Sequence, residues 1–453
     1  MKLVYNVKDR PAFGRLVVFA IQQMLAILAA TIAVPAIVGN GMTASAAMFG
    51  AGVGTIVYLL FTRFRSPVFL GSSFAFIASM SAAFAGAVSM QVGYLGLIIG
   101  GIFAGLVYAI IAIIVKIAGV KWINKVMPAV VIGPTVSIIG LSLAGNAISD
   151  ATYNGGSEFS YVALLCAIIT LFVVVISSTY GKKMAKLIPF IIGIIAGYAA
   201  ALIFTLIGIA TDNAALQIID FSPFVNLVSD GVSFSTFISM PEFTFLTAID
   251  GLKDLDASYI LTVAFAYVPV SFVVFAEHIA DHKNLSSIIE KDLLEDPGLH
   301  RTLLGDGIGS MAGAFFGGCP NTTYGESVGC VAITGNASVS TILAAAIGTM
   351  LISFISPLVA FIDSIPACVM GGVCITLYGF IAVSGLKMIQ SVDLEDNRNV
   401  FVASTILIAG IGGLTLSFST GLGDINITSI ACALILGILV NVALSFRKDK
   451  KEK

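Results

Sequence analysis

Apolar runs of about 20 residues, the length that crosses a bilayer's hydrocarbon core, recur along this chain from end to end. No other feature limits its fold so strongly. "GLIIGGIFAGLVYAIIAIIVKIAG" (96–119), "ALLCAIITLFVVVIS" (163–177) and "SIACALILGILVNVALSF" (429–446) are clear instances. Of the 453 residues, 58% are hydrophobic and 11% are charged, against roughly 25% charged in soluble domains. These runs predict an all-α polytopic membrane protein, since a helix satisfies its own backbone hydrogen bonds where no water is present. The count is 14 transmembrane segments, the shortest lying around residues 67–82 and 322–335. The first dozen residues are polar and lead into a long apolar run without a small-residue cleavage site. That run reads as the first span and not as a removed signal peptide.

Basic residues test the count, because Lys and Arg concentrate in cytoplasmic loops. Numbering the spans from a cytoplasmic N-terminus puts Lys2, Lys8, Arg10 and Arg15 before span 1. Arg63 and Arg65 then follow span 2, Lys116, Lys121 and Lys125 follow span 4, and Lys182, Lys183 and Lys186 follow span 6. Lys283, Lys291 and Arg301 follow span 8, Lys387 and Arg398 follow span 12, and a basic tail from Arg447 to Lys453 closes the chain. All lie on one side, and only Lys253 falls on the other. The loop from about 211 to 250 carries Asp212, Asp220, Asp230, Glu242 and Asp250 but neither Lys nor Arg. Both termini are therefore expected in the cytoplasm.

The six cysteines, Cys166, Cys319, Cys330, Cys368, Cys374 and Cys432, show no CxxC or Cys/His metal spacing and read as small packing residues. Neither the net charge of −2 nor any basic patch interleaved with aromatics suggests nucleic acid.

The two halves echo each other. "MPAVVIG" (127–133) matches "IPACVMG" (365–371), and "GSSFAF" (71–76) matches "NTTYGE" (321–326), in the same order. Seven spans per half would make the halves enter the membrane from opposite sides, giving a 7+7 inverted repeat of the kind found in transporters. "GGCPNTTYGESVG" (317–329) and its counterpart lie in the two shortest apolar segments. Non-helical backbone at membrane depth is tolerated where it lines a cavity or is buried in protein. Paired interruptions at matching positions point to a substrate site. For "AFAGAV" (83–88) close packing of small residues is the better reading.

Ionisable groups stand at membrane depth in two places. "VVFAEHIADHK" (273–283) ends span 8, with Glu277 and Asp281 four apart on one helix face and His278 and His282 on a neighbouring one. The other place is Glu326. Such groups are functional candidates because the membrane makes their charge costly. Clustered carboxylates in low dielectric repel one another and are poorly solvated, so they can exchange protons as a proton-coupled carrier needs. His278 and His282 fit interfacial positions as well as ligand positions, and His300 is expected in a solvated loop.

"FAEHIADH", "EKDLLEDPGLHRTLLGDGIGS" and "FFGGCPNTTYGESVGCVAITG", together with "ATIAVP" (30–35) and "LGSSFAFI" (70–77), resemble the nucleobase–ascorbate transporter family, above all its bacterial uracil permease branch. The resemblance implies a core domain of spans 1–4 and 8–11 (residues 1–122 and 251–364). It implies a gate domain of spans 5–7 and 12–14 (residues 123–250 and 365–453), short strands in spans 3 and 10, and a homodimer formed through the gate. Matched residue by residue, Glu277 is the base-binding glutamate and Glu326 opens the family signature. Phe74 and Gly325 offer backbone amides, Tyr324 with Phe74 flanks the base, Ala30 belongs to the substrate-binding set, and Asp281 is tied to proton coupling. Glutamate at 326 resembles the uracil branch, whereas purine and xanthine carriers tend to have glutamine. The chain departs from the pattern at Gln23, where many members have His, and at Ser327, where the signature has Asn.

The expected function is proton-coupled uracil import, with no cofactor beyond the proton and no enzymatic activity. Alternatives are a xanthine or purine permease of the same family and an anion transporter on the same 7+7 fold, whose site should offer a basic residue or helix N-termini to an anion. A membrane hydrolase would need a second aspartate, for which Asp306 is the only extra candidate.

Overall fold

The computed structural model describes residues 3–182, 184–229, 231–420 and 423–445. Lys2, Lys183, Asp230 and the tail from 446 onward, all used in the charge argument, lie outside the described residues. Leaving aside the short helices Lys121–Val126 and Met184–Leu187, the helices in chain order are α1 (Phe13–Val38), α2 (Ala44–Phe61), α3 (Ile77–Ala85), α4 (Met90–Ala118), α5 (Ala129–Ser142), α6 (Ala144–Tyr153), α7 (Tyr161–Tyr180) and α8 (Pro189–Ala210). After a loop with only short helical turns come α9 (Ala257–Ile289), α10 (Leu299–Gly317), α11 (Gly325–Thr334), α12 (Val339–Ile352), α13 (Ser356–Asp363), α14 (Ala367–Ile389), α15 (Asn397–Ile411) and α16 (Ser429–Ser445). Among the described residues, eight helices are long and apolar enough to cross a membrane, α5 and α6 counting as one, and shorter apolar helices accompany them.

Local chemistry sets where the helices begin. Thr43, Ser89, Ser160 and Asp256 each accept a backbone N–H from the first turn of α2, α4, α7 and α9, the usual work of an N-cap oxygen. Pro128 and Pro366 stand immediately before α5 and α14, where a missing N–H costs no helical bond. The two echoed "P-A-x-V-x-G" stretches thus start equivalent helices, and these helices pack on each other. A Cβ on Gly133 would lie 2.9 Å from the Gly385 carbonyl oxygen, and Ser137 Oγ donates to the Ala382 carbonyl at 3.0 Å.

A second bundle is built on backbone-to-backbone approach between α2, α4 and α10. A Cβ on Gly54 would lie 2.8 Å from the Gly309 carbonyl oxygen, and one on Gly309 would lie 2.9 Å from that of Gly54. Gly105 and Gly307 make the same kind of contact between α4 and α10. Without a hydrophobic drive between helices in lipid, such close packing is what holds them together.

The two short apolar segments each contain a strand. β1 (Leu70–Ser72) and β2 (Asn321–Thr323) pair antiparallel, with Leu70 opposite Thr323, Gly71 opposite Thr322 and Ser72 opposite Asn321. Asn321 Nδ2 donates to the Gly50 carbonyl at 3.0 Å, and Ser310 Oγ donates to the Asn321 carbonyl, so β2 is fastened to α2 and α10. β1 is fastened by Thr55, whose Oγ1 accepts from the Leu70 N–H at 2.9 Å. Past β1 the chain makes one 3₁₀ turn, Phe74–Phe76, and enters α3; past β2 it enters α11. A later hairpin, β3 (Leu416–Thr420) with β4 (Gly423–Ile427), joins α15 to α16.

The glycine contact gives a direct test of this packing. Gly309→Val should destabilise the protein by about 1–3 kcal/mol through overpacking, seen as a lower unfolding temperature in detergent. Gly379→Ala, whose added Cβ meets nothing within 4 Å, should leave that temperature unchanged. Equal stability of the two variants would refute backbone contact between α2 and α10.

Candidate functional site

Where β1 and β2 end, two helical turns begin side by side. Ser73 and Tyr324, the residues just before these turns, make no capping hydrogen bond with their side chains among the described residues. The Ser73 N–H donates to the Pro320 carbonyl at 2.9 Å and the Tyr324 N–H to the Phe69 carbonyl at 3.2 Å, so these two amides are used. The amides that follow belong to first turns, which lack intrahelical acceptors and carry the positive end of the helix dipole. The junctions at Phe74 and Gly325 therefore present hydrogen-bond donors to one place.

That place is a cavity of about 440 Å³, lined by Phe74, Thr322, Thr323, Tyr324, Gly325 and Glu326 from the two junctions. From α9, Glu277, Ala280, Asp281 and Asn284 line it; this spacing is one helix face. Asp281 is 9% exposed, and its Oδ2 accepts from Thr323 Oγ1 at 2.7 Å, which ties α9 to the end of β2. Glu277 is half-buried, and its Oε2 has no hydrogen-bond partner among the described residues. Glu326 stands in the first turn of α11, also half-buried. At the other end the lining includes the exposed side chains of Lys186, Ile333 and Lys387. The cavity thus runs from a carboxylate-rich floor at the strand ends to a mouth flanked by two lysines.

Six of the residues picked out from the sequence, Phe74, Glu277, Asp281, Tyr324, Gly325 and Glu326, line this one cavity. Ala30 does not: it is fully buried inside α1, and Ala26, one turn earlier, takes the lining position. Phe74 meets Tyr378 of α14 edge to face, with ring centroids 5.6 Å apart. Tyr324 is less free than an aromatic wall would be. Its hydroxyl donates to the Ser72 carbonyl at 2.9 Å, and its ring covers Gly71 so closely that a Cβ there would collide with it. Only glycine leaves room for that ring.

The histidines correct the expectation of an interfacial position. His278 and His282 are 0% and 1% exposed, and they lie on the part of α9 turned from the cavity. His278 Nδ1 is 2.6 Å from Asp306 Oδ2, and Nε2 is 3.0 Å from Thr302 Oγ1. His282 Nδ1 donates to the His278 carbonyl at 2.8 Å, and its Nε2 lies 2.7 Å from the Tyr58 hydroxyl. Pairing with α2 and α10 keeps both rings inside. Asp306 is engaged with His278 through its Oδ2. His300 is also moved, from an expected loop to the first turn of α10, half-buried. Sequence reasoning missed Thr322, Thr323 and Asn284 as lining residues; Thr322 and Thr323 carried a signal, their place in the polar "NTTYGE" stretch, and Asn284 carried none. All six cysteines are buried and unpaired.

A cavity framed by two broken segments, among helices that match a lipid bilayer, defines a membrane transporter. The Permease family model matches residues 14–418, and the chain belongs to that family. It is 37% identical over 453 residues to the uracil permease of Bacillus caldolyticus, covering 100% of this chain and 97% of that one. It is 32% identical over 437 residues to the uracil permease of Escherichia coli (strain K12), with 96% and 92% covered. It is accordingly a multi-pass protein of the cell membrane. Among solved structures, the transmembrane domain of the cyanobacterial bicarbonate transporter BicA superposes with a TM-score of 0.64 at 14% identity, covering 96% of this chain and 99% of that one. The murine Slc26a9 anion transporter in its inward-facing state gives 0.61 at 11% identity, covering 97% and 69%. These two likenesses concern the fold alone.

The direction of the cavity can be checked by labelling. Ile333→Cys should react with a membrane-impermeant maleimide added to the face that carries Lys186 and Lys387. Labelling only from the opposite face would contradict the geometry.

Proposed function

We propose that this protein imports uracil across the cell membrane together with protons. The relatives named uracil permease support the substrate, and one observation carries the chemistry: Glu277 and Glu326 open into the cavity that the uncapped turns at Phe74 and Gly325 also face. Uracil presents two N–H donors and two carbonyl acceptors on a flat ring. Carboxylates accept from the N–H groups, and free backbone amides donate to the carbonyls. A phosphate or bicarbonate ion would meet carboxylates at the same floor, which disfavours anion exchange despite the shared fold.

The eight long helices, the four shorter apolar ones, α10 and α11 add up to fourteen passes. We read them as a 7+7 inverted repeat with both termini cytoplasmic. The strand register supports the repeat: a shift of 250 residues carries Gly71 to Asn321 and Ser72 to Thr322, so it exchanges the pair Gly71–Thr322 with the pair Asn321–Ser72. α1–α4 and α9–α12 form the core and α5–α8 and α14–α16 the gate, through which two copies associate. On this reading the mouth between Lys186 and Lys387 faces the cytoplasm.

Coupling follows from electrostatics. Glu277, Asp281 and Glu326 share one poorly solvated cavity, and three negative charges there repel one another. Protonation of the Glu277–Asp281 group and base binding then favour each other, and the loaded, neutralised core moves against the gate. Thr323 holds Asp281 beside Glu277 so that a proton and a base are sensed together.

Labelled uracil taken up by proteoliposomes under an inward proton gradient, and competed by unlabelled uracil but not by xanthine or adenine, is the expected result. Gradient-driven uptake of xanthine without uracil would replace the substrate. In the same assay Glu277→Gln and Glu326→Ala should each abolish binding, and normal binding by both would remove the site. Asp281→Asn should alter the pH dependence of uptake more than the affinity; an unchanged pH profile would take Asp281 out of coupling.

A further inference from the structure

Gln23 of α1 and Ser327 of α11 stand 304 positions apart and are 2% and 0% exposed. Gln23 Nε2 donates to Ser327 Oγ. The same oxygen accepts the backbone N–H of Phe69 at 3.0 Å, and the Phe69 carbonyl in turn accepts the Tyr324 N–H at 3.2 Å. A hydroxyl oxygen has two lone pairs, and here both are taken by donors from other elements. One oxygen therefore joins α1, the residue leading into β1 and the first turn of α11, immediately beside Glu326.

We infer that Gln23 and Ser327 act as a single positioning pair that fixes the first turn of α11, and hence the Glu326 carboxylate and the Gly325 amide, against β1. Neither residue lines the cavity, so neither touches substrate; their effect is transmitted through the junction. N–H···O bonds keep their strength over only a few tenths of an ångström, from about 2.7 to 3.2 Å. A junction that slips by that much loses its preference for a ring oxygen over a larger acceptor. The pair thereby sets selectivity among pyrimidine bases that differ at one ring carbonyl. This inference rests on the uracil reading.

The alternative is that the two residues merely pack. Gln23 then contributes volume to α1, Ser327 fills a small space, and losing either acts independently of the other. Buried donors and acceptors left without partners are costly, so a shared bond instead makes the second loss add little to the first.

The test measures binding of uracil and of 4-thiouracil to the purified full-length protein and to Gln23→Met, Ser327→Ala, the double variant and Ser327→Thr. Methionine keeps the length of glutamine without its N–H. Each single variant should weaken uracil binding about tenfold and narrow the ratio of the two affinities. The double variant should be no worse than the poorer single one, and Ser327→Thr, which keeps the hydroxyl, should hold the ratio closer to that of the unaltered protein. Multiplying effects in the double variant, or an unchanged ratio in every variant, would overturn the pair. Should Ser327→Ala fail to fold, Gln23→Met still reads the ratio. If the unaltered protein binds neither base, the uracil reading falls and this inference with it; if it binds uracil and the variants behave independently, only the inference falls.

Discussion

The pairing of β1 with β2 is the interaction on which the rest of the site depends. Two pieces of extended chain at membrane depth would each leave unsatisfied N–H and C=O groups, at a cost of several kcal/mol per group. Pairing them removes most of that cost, and side chains from the glycine-packed bundle remove more: Thr55 serves Leu70, while Ser310 and Asn321 tie β2 to α10 and α2. The amides left over are those of the two first turns, and they face a cavity. The donors are thus a by-product of breaking a helix in lipid, and the glycines that let α2, α4 and α10 approach so closely provide a floor firm enough to hold the break.

The charges are arranged around that floor by α9. One face of this helix gives Glu277 and Asp281 to the cavity, and the other gives His278 and His282 to the interior, where Asp306 and Tyr58 receive them. The buried histidines do for α9 what Asn321 does for β2: they fix its rotation, so that a four-residue spacing in sequence becomes two carboxylates pointing the same way. A small rotation of α9 would withdraw Asp281 from Thr323, and with it the contact between the acid pair and the strand end. Fixing the acids on a rigid element keeps both of them on the wall of one cavity.

How much of this could be read in advance depended on whether the cause was local. The spans, the two interrupted segments and the shared face of Glu277 and Asp281 follow from runs, small polar residues and a spacing of four, all contained within short windows. The Thr323–Asp281 bond, the burial of His278 and His282, and the commitment of the Tyr324 ring to Gly71 depend on residues from other elements. Gln23 and Ser327 show the limit most clearly. Each stood out as a departure from the pattern that the chain resembles, but that they touch each other emerges only when segments 304 residues apart are brought together. Ala30 shows the same limit from the other side: the motif around it was legible, yet rotation of α1 turns Ala26 and not Ala30 to the cavity.

The symmetry of the strand pair has a consequence for how such a site can work. A register that maps onto itself under a shift of 250 residues places two equivalent helix starts about one centre, yet their side chains are not equivalent. The shift carries Phe76, a fully buried ring stacked near Tyr267, to Glu326, a half-buried acid in the cavity. It carries Phe74, which leans on Tyr378 of α14, to Tyr324, which is tied back to its own strand pair. One half therefore supplies the carboxylate and a self-contained junction, and the other supplies an aromatic residue pressed against a neighbouring bundle. The broken equivalence puts the carboxylate on one junction and the aromatic contact with α14 on the other.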